Sequence, residues 1–386
     1  MTSNSDNLAQ RLAPLFTPYK IGALTLRNRI VMSPMSIHGE WTGEQVAAVG
    51  AHFRKRAEGG VGLLMAGAVL VDHPTAGDIP SGLTPMYGEE SLAGWGAVVK
   101  QAGSTGVPFL PQLWHAGAWR DHLQSTHPDV PNISPSGIGP ADEKIGEPAT
   151  QAEIDAVIEA FVRSAVYAQS IGFSGVDIAG AHGYLIDQFL WSERNLRDDR
   201  YGGDIERRSR FAVEVVEAIR QATGPDFLIS FRVSQYKRDD FTASPWATPQ
   251  ELEAAITPIL RAGVDVFNAS SWRFWYPAFP NENSPMGFAG WVKKVTGAPV
   301  ICGGSVGLDK NFVETMLPDV RTEIGNLDVL AEAFARGEFD LLALGRALLG
   351  DPEWPNKVRD GRMAELKPFV RSSVSSHEIS AHTVGA

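Results

Sequence analysis

The chain has 386 residues, 44% of them hydrophobic and 20% charged, and a net charge of -11. Such a composition buries a large core and excludes a disordered chain, while the acidic balance argues against nucleic acid and anionic membrane as partners. A single cysteine, Cys302, excludes an internal disulfide and a cysteine-held metal cluster, and it fits a reducing cytoplasm.

The chain opens with MTSNSDNLAQ, which lacks the basic-then-apolar pattern of a signal peptide, and residues 1–13 are expected to be a disordered N-terminus. YKIGALTLRNR (19–29) reads as a short hairpin turning at Gly22-Ala23, placed to plug the bottom of a barrel. Three apolar runs follow: RIVMSPM (29–35), VGLLMAGAV (61–69) and VPFLPQLW (107–114). Residues 115–150 break the rhythm with Pro, Gly, Asp and His, and are expected to form an insertion that covers the site. His115, His122 and His127 fall there at irregular spacing, so no zinc site is predicted. Over 151–172 the residues Ile154, Val157, Ile158, Phe161, Ala165 and Ala168 share one helical face. Runs GVDIAG (175–180), FLISFRVS (227–234) and VDVFNAS (264–270) then alternate with helical patterns over 205–223 and 249–262. APVICGG (298–304) and FDLLALGR (339–346) complete the set, and residues 363–386 read as a polar tail. No run of about 18 apolar residues exists to span a membrane.

Near-continuous apolar strands alternating with helices imply an α/β fold with a parallel sheet covered by helices. Eight units are the count of a TIM (β/α)8 barrel, here over residues 14–362. A doubly wound sheet is the rival, but no GxGxxG follows the first strand.

Barrel chemistry gathers at the C-terminal strand ends. Gly303-Gly304 and Gly345-Arg346 end the seventh and eighth runs, the usual place for a phosphate: glycines let N–H groups approach and an arginine adds charge. Gln112 and Arg232 are polar groups ending apolar strands. An amide both donates to and accepts from a uracil-like edge, and a guanidinium stabilises negative charge on a reduced ring. A phosphate, an amide and an arginine around one mouth point to FMN.

At this point the residues resemble the Old Yellow Enzyme family of FMN-dependent ene-reductases. The phrases are PLFTPYKIGALTLRNRIVMSPMS (14–36), GGVGLLMAGAV (59–69), PQLWHAG (111–117), GYLIDQFLWSERNLRDDRYGGDIERRSRF (183–211), FRVS (231–234) and LGRALLGDPEWP (344–355). The resemblance implies that Ser33, Pro34, Met35 and Ala66 line the flavin, that Gln112 binds its pyrimidine edge, and that Arg232 faces N1 and O2. It implies Gly303, Gly304, Gly345 and Arg346 at the phosphate. Ser36 stands where the family carries a threonine or cysteine beside the flavin O4. Trp114 matches a substrate-pocket tryptophan, Tyr184 the tyrosine that protonates the substrate, and His182 a group that binds its carbonyl oxygen. NADPH or NADH is the implied reductant, a small activated alkene the substrate, and a homodimer the possible assembly.

One departure stands out. The family has a polar pair on the fourth strand, His-x-x-His or His-x-x-Asn, and here the first position is Ala179. His38 and Arg273 are candidate replacements, and Trp275 a further candidate for the substrate pocket. The expected reaction is reduction of FMN by NAD(P)H, then hydride transfer from flavin N5 to Cβ and a proton from Tyr184 to Cα of an enone, maleimide or nitroalkene. A second reading is oxidative N-demethylation of a methylated amine, motivated by Trp272, Phe274, Trp275 and Tyr276 crowding within five residues. A third is a flavin-binding scaffold without turnover, motivated by Ala179.

Overall fold

The computed structural model describes residues 4–36, 41–77, 83–121, 125, 127–317 and 320–373. The expected hairpin is present: β1 (Tyr19–Ile21) and β2 (Leu24–Leu26) pair antiparallel, with Tyr19 opposite Leu26. The eight apolar runs become parallel strands β3 (Ile30–Met32), β4 (Leu64–Leu70), β5 (Phe109–Trp114), β6 (Gly175–Ala179), β7 (Leu228–Ser234), β8 (Val266–Ser270), β9 (Val300–Gly303) and β10 (Leu341–Leu344). Their order is β3-β10-β9-β8-β7-β6-β5-β4. A parallel bridge from Val31 to Leu63, and the Met32 N–H donating to the Leu63 carbonyl at 2.8 Å, bring β3 back to β4 and close the barrel. Both faces of these strands are covered, which is why they read as apolar runs rather than as alternation.

The helices are α1 (Asn4–Leu12), α2 (Gly43–Glu58), α3 (Glu89–Gly103), α4 (Gln151–Ser170), α5 (Leu185–Leu190), α6 (Ile205–Thr223), α7 (Pro249–Arg261), α8 (Phe288–Thr296), α9 (Leu327–Ala335), α10 (Arg346–Gly350) and α11 (Trp354–Arg359). Their starts are written locally. Thr150 and Glu153 form a capping box on α4, and Thr42, Asp204 and Thr248 each accept from an N–H three residues on.

The bottom of the barrel is apolar. Ile21 and Leu26 of the hairpin pack with Val31, Met65, Leu110, Leu228, Val266, Ile301 and Leu341. Each such side chain contributes about 1.5–3 kcal/mol by leaving water.

Two expectations change. The stretch read as a disordered N-terminus carries α1, whose Leu12, like Leu15 just beyond it, is fully buried and whose Arg11 bonds Asp328 of α9 at 2.7 Å. Apolar residues at Leu8, Leu12 and Leu15 give it a face to dock. The start of the polar tail is likewise anchored, since Thr322 N–H donates to the Phe369 carbonyl at 3.0 Å and Phe369 is buried. The remainder of that tail, from residue 374, lies outside the described residues.

The insertion is tied down by two arginines. Arg120 bonds the Val130 carbonyl at 2.7 Å and Asn132 Oδ1 at 3.1 Å from inside it. Arg197, from the NLRDDRYGG phrase, donates to the carbonyls of Pro135 at 3.0 Å and Ala149 at 2.7 Å. That phrase is therefore a clamp on the insertion. His122 lies outside the described residues.

Candidate active site

On the β8–β10 side of the mouth a cavity is lined by Ser33, Asn268, Ser270, Gly303, Ser305 and Arg346, among others. Gly303 and Gly345 open onto it: a Cβ on either would meet nothing nearer than 3.6 Å, and the space it filled would be the cavity's. Gly304 has φ +139° and a Cβ there would lie 2.4 Å from the Ser271 carbonyl oxygen, so the turn admits only glycine. Arg346 is buried. Its Nη1 donates to the carbonyls of Lys310 at 3.2 Å and Asn311 at 2.8 Å and to the Thr315 hydroxyl at 2.9 Å. Burial brings its pKa down to about 10. Those contacts are with neutral groups, so the guanidinium charge is left to an anion in the cavity.

A polar layer crosses the barrel below this cavity. Asp177 on β6 is fully buried and accepts from Gln112 Nε2 at 2.6 Å, Ser230 Oγ at 2.5 Å and Asn268 Nδ2 at 3.4 Å. Burial pushes its carboxyl up, against those hydrogen bonds and the charge of Arg232. Holding the Gln112 nitrogen this way leaves its amide oxygen and second N–H for a ligand. Arg232 donates from Nη2 to the Ser270 hydroxyl at 3.2 Å, and its Nε has no partner.

The end of β6 carries the titratable pair. His182 takes φ +63°, rare for a residue with a side chain, and the turn is stapled in that shape. The His182 N–H donates to the Ser234 hydroxyl at 2.8 Å, and the Gly183 N–H to Asp187 Oδ2 at 2.6 Å. Lys237, fully buried, pairs with the same Asp187 at 2.5 Å. Both ring nitrogens of His182, the Tyr184 hydroxyl and the Trp114 indole N–H are buried and have no hydrogen-bond partner. Burial, with the charges of Arg232 and Lys237, holds the His182 imidazole well below the usual histidine range, so it is neutral. Burial pushes the Tyr184 hydroxyl up, so it keeps its proton. Trp114 meets Tyr184 edge-on at 5.0 Å, and Tyr236 lies 4.7 Å from the His182 ring.

Buried polar atoms without partners are costly and rare. Those of Trp114, His182, Tyr184 and Arg232 lie at one mouth with an open glycine cradle and an arginine whose contacts are neutral, while others, such as the Trp95 and Trp354 indole N–H groups, are scattered through the core. Of the residues expected from the sequence, Ser33, Arg232, Gly303, Gly304, Gly345 and Arg346 line the cavity itself. Ser36 Oγ accepts from the Ala68 N–H at 3.3 Å, which leaves its hydroxyl hydrogen free to donate. The donor set suits a flat heterocycle with an anionic tail.

Two expected substrate residues make protein contacts in and beside the loop after β8. Arg273 donates to the Asp309 carbonyl at 2.7 Å and to Glu314 at 3.2 Å while stacking on Trp275, because the loop after β8 folds toward the β9 side. Trp275 packs on Phe274 and Tyr276, while Trp272 turns the other way, to Phe241 at 4.0 Å and Tyr236 at 5.7 Å. His38 lies outside the described residues. Sequence reasoning missed Asp177, Asn268, Lys237 and Tyr236. The first two had a signal, a polar residue inside an apolar run; the last two sit in a loop whose path the sequence does not give.

Residues 14–365 match the profile of the NADH:flavin oxidoreductase / NADH oxidase family. An NADH oxidase of Thermoanaerobacter brockii is 32% identical over 374 residues, 93% of this chain but 53% of that protein, so the chain spans about half its length. An NADPH dehydrogenase of Clostridium acetobutylicum is 32% identical over 346 residues, 88% of this chain and 92% of that one. The fold is shared with Old Yellow Enzyme from Pichia sp. AKU4542, with a TM-score of 0.72 and 23% identity over 94% of this chain and 91% of that one. Among the described residues no helix is long and apolar enough to cross a membrane. The chain belongs to the NADH:flavin oxidoreductase / NADH oxidase family, whose flavin is FMN.

Proposed function

We propose that the protein is an FMN-dependent ene-reductase that uses NADPH or NADH to saturate an activated alkene. One grouping carries the reading: the His182 ring nitrogens and the Tyr184 hydroxyl, buried and unpartnered at the end of one strand. In this reading Gln112 takes the pyrimidine edge of FMN, Arg232 its N1/O2 side and Ser36 its O4 side. Ser33, Pro34, Met35 and Ala66 line the ring, and Gly303, Gly304, Gly345 and Arg346 hold the phosphate. FMN held there would supply the two-electron chemistry that links NAD(P)H oxidation to reduction of the alkene.

The chain's own residues do the rest. Neutral His182 donates one hydrogen bond to the activating oxygen, and Ala179 supplies none. Loss of one such donor costs about 2.7–4 kcal/mol of transition-state stabilisation. Strongly activated alkenes, nitroalkenes and maleimides, are therefore favoured over simple enones. Tyr184 keeps its proton and delivers it to Cα, while Trp114 fixes its ring.

The test is anaerobic. Reduced holoenzyme is mixed with a nitroalkene, a maleimide and cyclohexenone, and flavin reoxidation is followed. The first two are expected to react faster than the third, and Tyr184→Phe to slow reoxidation about 10²–10⁴-fold, with reduction by NAD(P)H measured separately. Reduced flavin that persists with all three alkenes would sink the reading.

A further inference from the structure

The loop after β7 runs back along the β6 turn. Lys237 bridges His182 in parallel register, and the Arg238 N–H donates to the His182 carbonyl at 3.2 Å. Those contacts fix where the Arg238 side chain begins. Its guanidinium carbon lies 4.7 Å over the Trp119 ring. Trp119, from the insertion, stands against Gly183: a Cβ there would be 3.6 Å from the indole nitrogen. The guanidinium is thereby brought beside the Tyr184 hydroxyl, near enough to act on its charge but without a hydrogen bond of good geometry. Arg238 is exposed, and among the described residues no carboxylate forms a salt bridge with it.

The reaction as derived so far gives this cation no task. His182 meets the activating oxygen and Tyr184 the α-carbon. A guanidinium stacked on an aromatic face is preorganised, and its fork matches a carboxylate with two parallel hydrogen bonds. We propose that Arg238 recognises a carboxylate on the alkene itself, so that the preferred substrates are unsaturated carbonyl compounds with a second, anionic end. The proposal rests on the ene-reductase reading and names its substrate class. The same cation also serves the proton transfer. A carboxylate alone beside Tyr184 would oppose loss of the tyrosine proton, and the guanidinium offsets it. The balance is alkene plus NAD(P)H plus H⁺ giving the saturated product and NAD(P)⁺, with the carboxylate unchanged.

The probes are 4-oxo-2-pentenoate, an enone with a carboxylate on the far alkene carbon, and its methyl ester. Binding of each to the oxidised holoenzyme is read as a perturbation of the flavin spectrum, independent of turnover. The acid is expected to bind about 10- to 100-fold tighter than the ester. Arg238→Gln should bring that ratio near one, and Arg238→Lys should keep part of it, since the charge survives and the fork does not. Equal affinity of wild type for acid and ester overturns the proposal. So does an Arg238→Gln protein that keeps the acid preference but binds NADPH more weakly, because the cation then serves the nucleotide's phosphates. An acid preference that is lost in Arg238→Gln, with no alkene reoxidising the flavin, would uphold the anion site and sink the ene-reductase reading alone.

Discussion

The same eight strands end in opposite chemistry at the two ends of the barrel. At the bottom, Ile21 and Leu26 of the hairpin close an apolar cluster with Leu228, Val266 and Leu341. At the mouth, His182, Tyr184 and Arg232 bury polar atoms that have no partner within the protein. An apolar end is complete once water is excluded. A mouth with unpartnered donors is complete only with a ligand, so stability is concentrated at one end and function at the other.

The sharpest challenge to that division is Lys237, which lies at the mouth yet is wholly structural in its contacts. Lys237 is fully buried, pairs with Asp187 at 2.5 Å and lies 4.7 Å from the Trp191 ring centre. Lys237→Ala strands the Asp187 charge, and breaking such a buried pair costs about 3–5 kcal/mol. Asp187 also holds the Gly183 N–H, so the turn that aims His182 loosens as well. Denaturant unfolding should show the loss, and flavin reoxidation by a maleimide should slow in the protein that remains folded. A loss under about 1 kcal/mol would mean that the pair is no support for the turn.

Leu26→Ala makes the opposite test. Leu26 is fully buried in the bottom cluster. Truncation of a buried leucine costs about 2–5 kcal/mol, depending on how far the site collapses. The rates of both half-reactions should stay at wild-type values once the protein is folded, because no atom of the mouth is touched. A changed rate of reoxidation would show that the ends are coupled and break the comparison.

The bottom was the more legible end. Alternation does not appear in RIVMSPM or FLISFRVS because both faces of these strands are covered, and that continuity by itself announced a parallel barrel. Gly22-Ala23 fixed the hairpin turn. At the mouth, polar residues within or just past an apolar run were readable: Gln112 inside β5, Arg232 inside β7, and His182 and Tyr184 just after β6. Loop residues were not. Arg273 turns to the Asp309 carbonyl and Glu314 and Trp275 to its aromatic neighbours, while Tyr236, Lys237 and Arg238 approach the His182 turn because the loop after β7 zips onto it. Asp177 was visible as a charge inside GVDIAG, but its role needed three partners from three other strands, a contact set that no local pattern encodes.

Acid should dismantle the mouth before the bottom. His115 accepts the Gly117 N–H on Nδ1 at 3.0 Å, so that nitrogen has no proton in the folded state. Burial holds His115 and His182 well below the usual histidine range, and burial with the Arg163 charge brings His73 to about 4. In the unfolded chain each titrates near 6.5. As pH falls below that value the unfolded chain binds protons that the folded one refuses, and stability drops by up to about 1.4 kcal/mol per pH unit for each group. For His73 the loss levels off near its folded value. Asp177 acts with the opposite sign: its carboxyl is raised on folding, so the folded state gains the proton first and that group favours the native state as acid is added. These three histidines, with His52 of α2, which burial likewise holds well below the usual range, outweigh it between pH 6.5 and 5, and the hairpin strands, Tyr19–Ile21 and Leu24–Leu26, contain no histidine to add to the effect. Hydrogen exchange at pH 5.5, at fixed FMN concentration, should therefore show protection lost around His115 and the β6 turn while β1 and β2 keep theirs. His115→Asn should flatten the acid slope even though it lowers stability at neutral pH, since it gives up the Thr75 hydroxyl contact at 3.1 Å. Equal loss of protection at both ends would place the acid-sensitive groups elsewhere and end the claim that the mouth is the weaker half of the barrel.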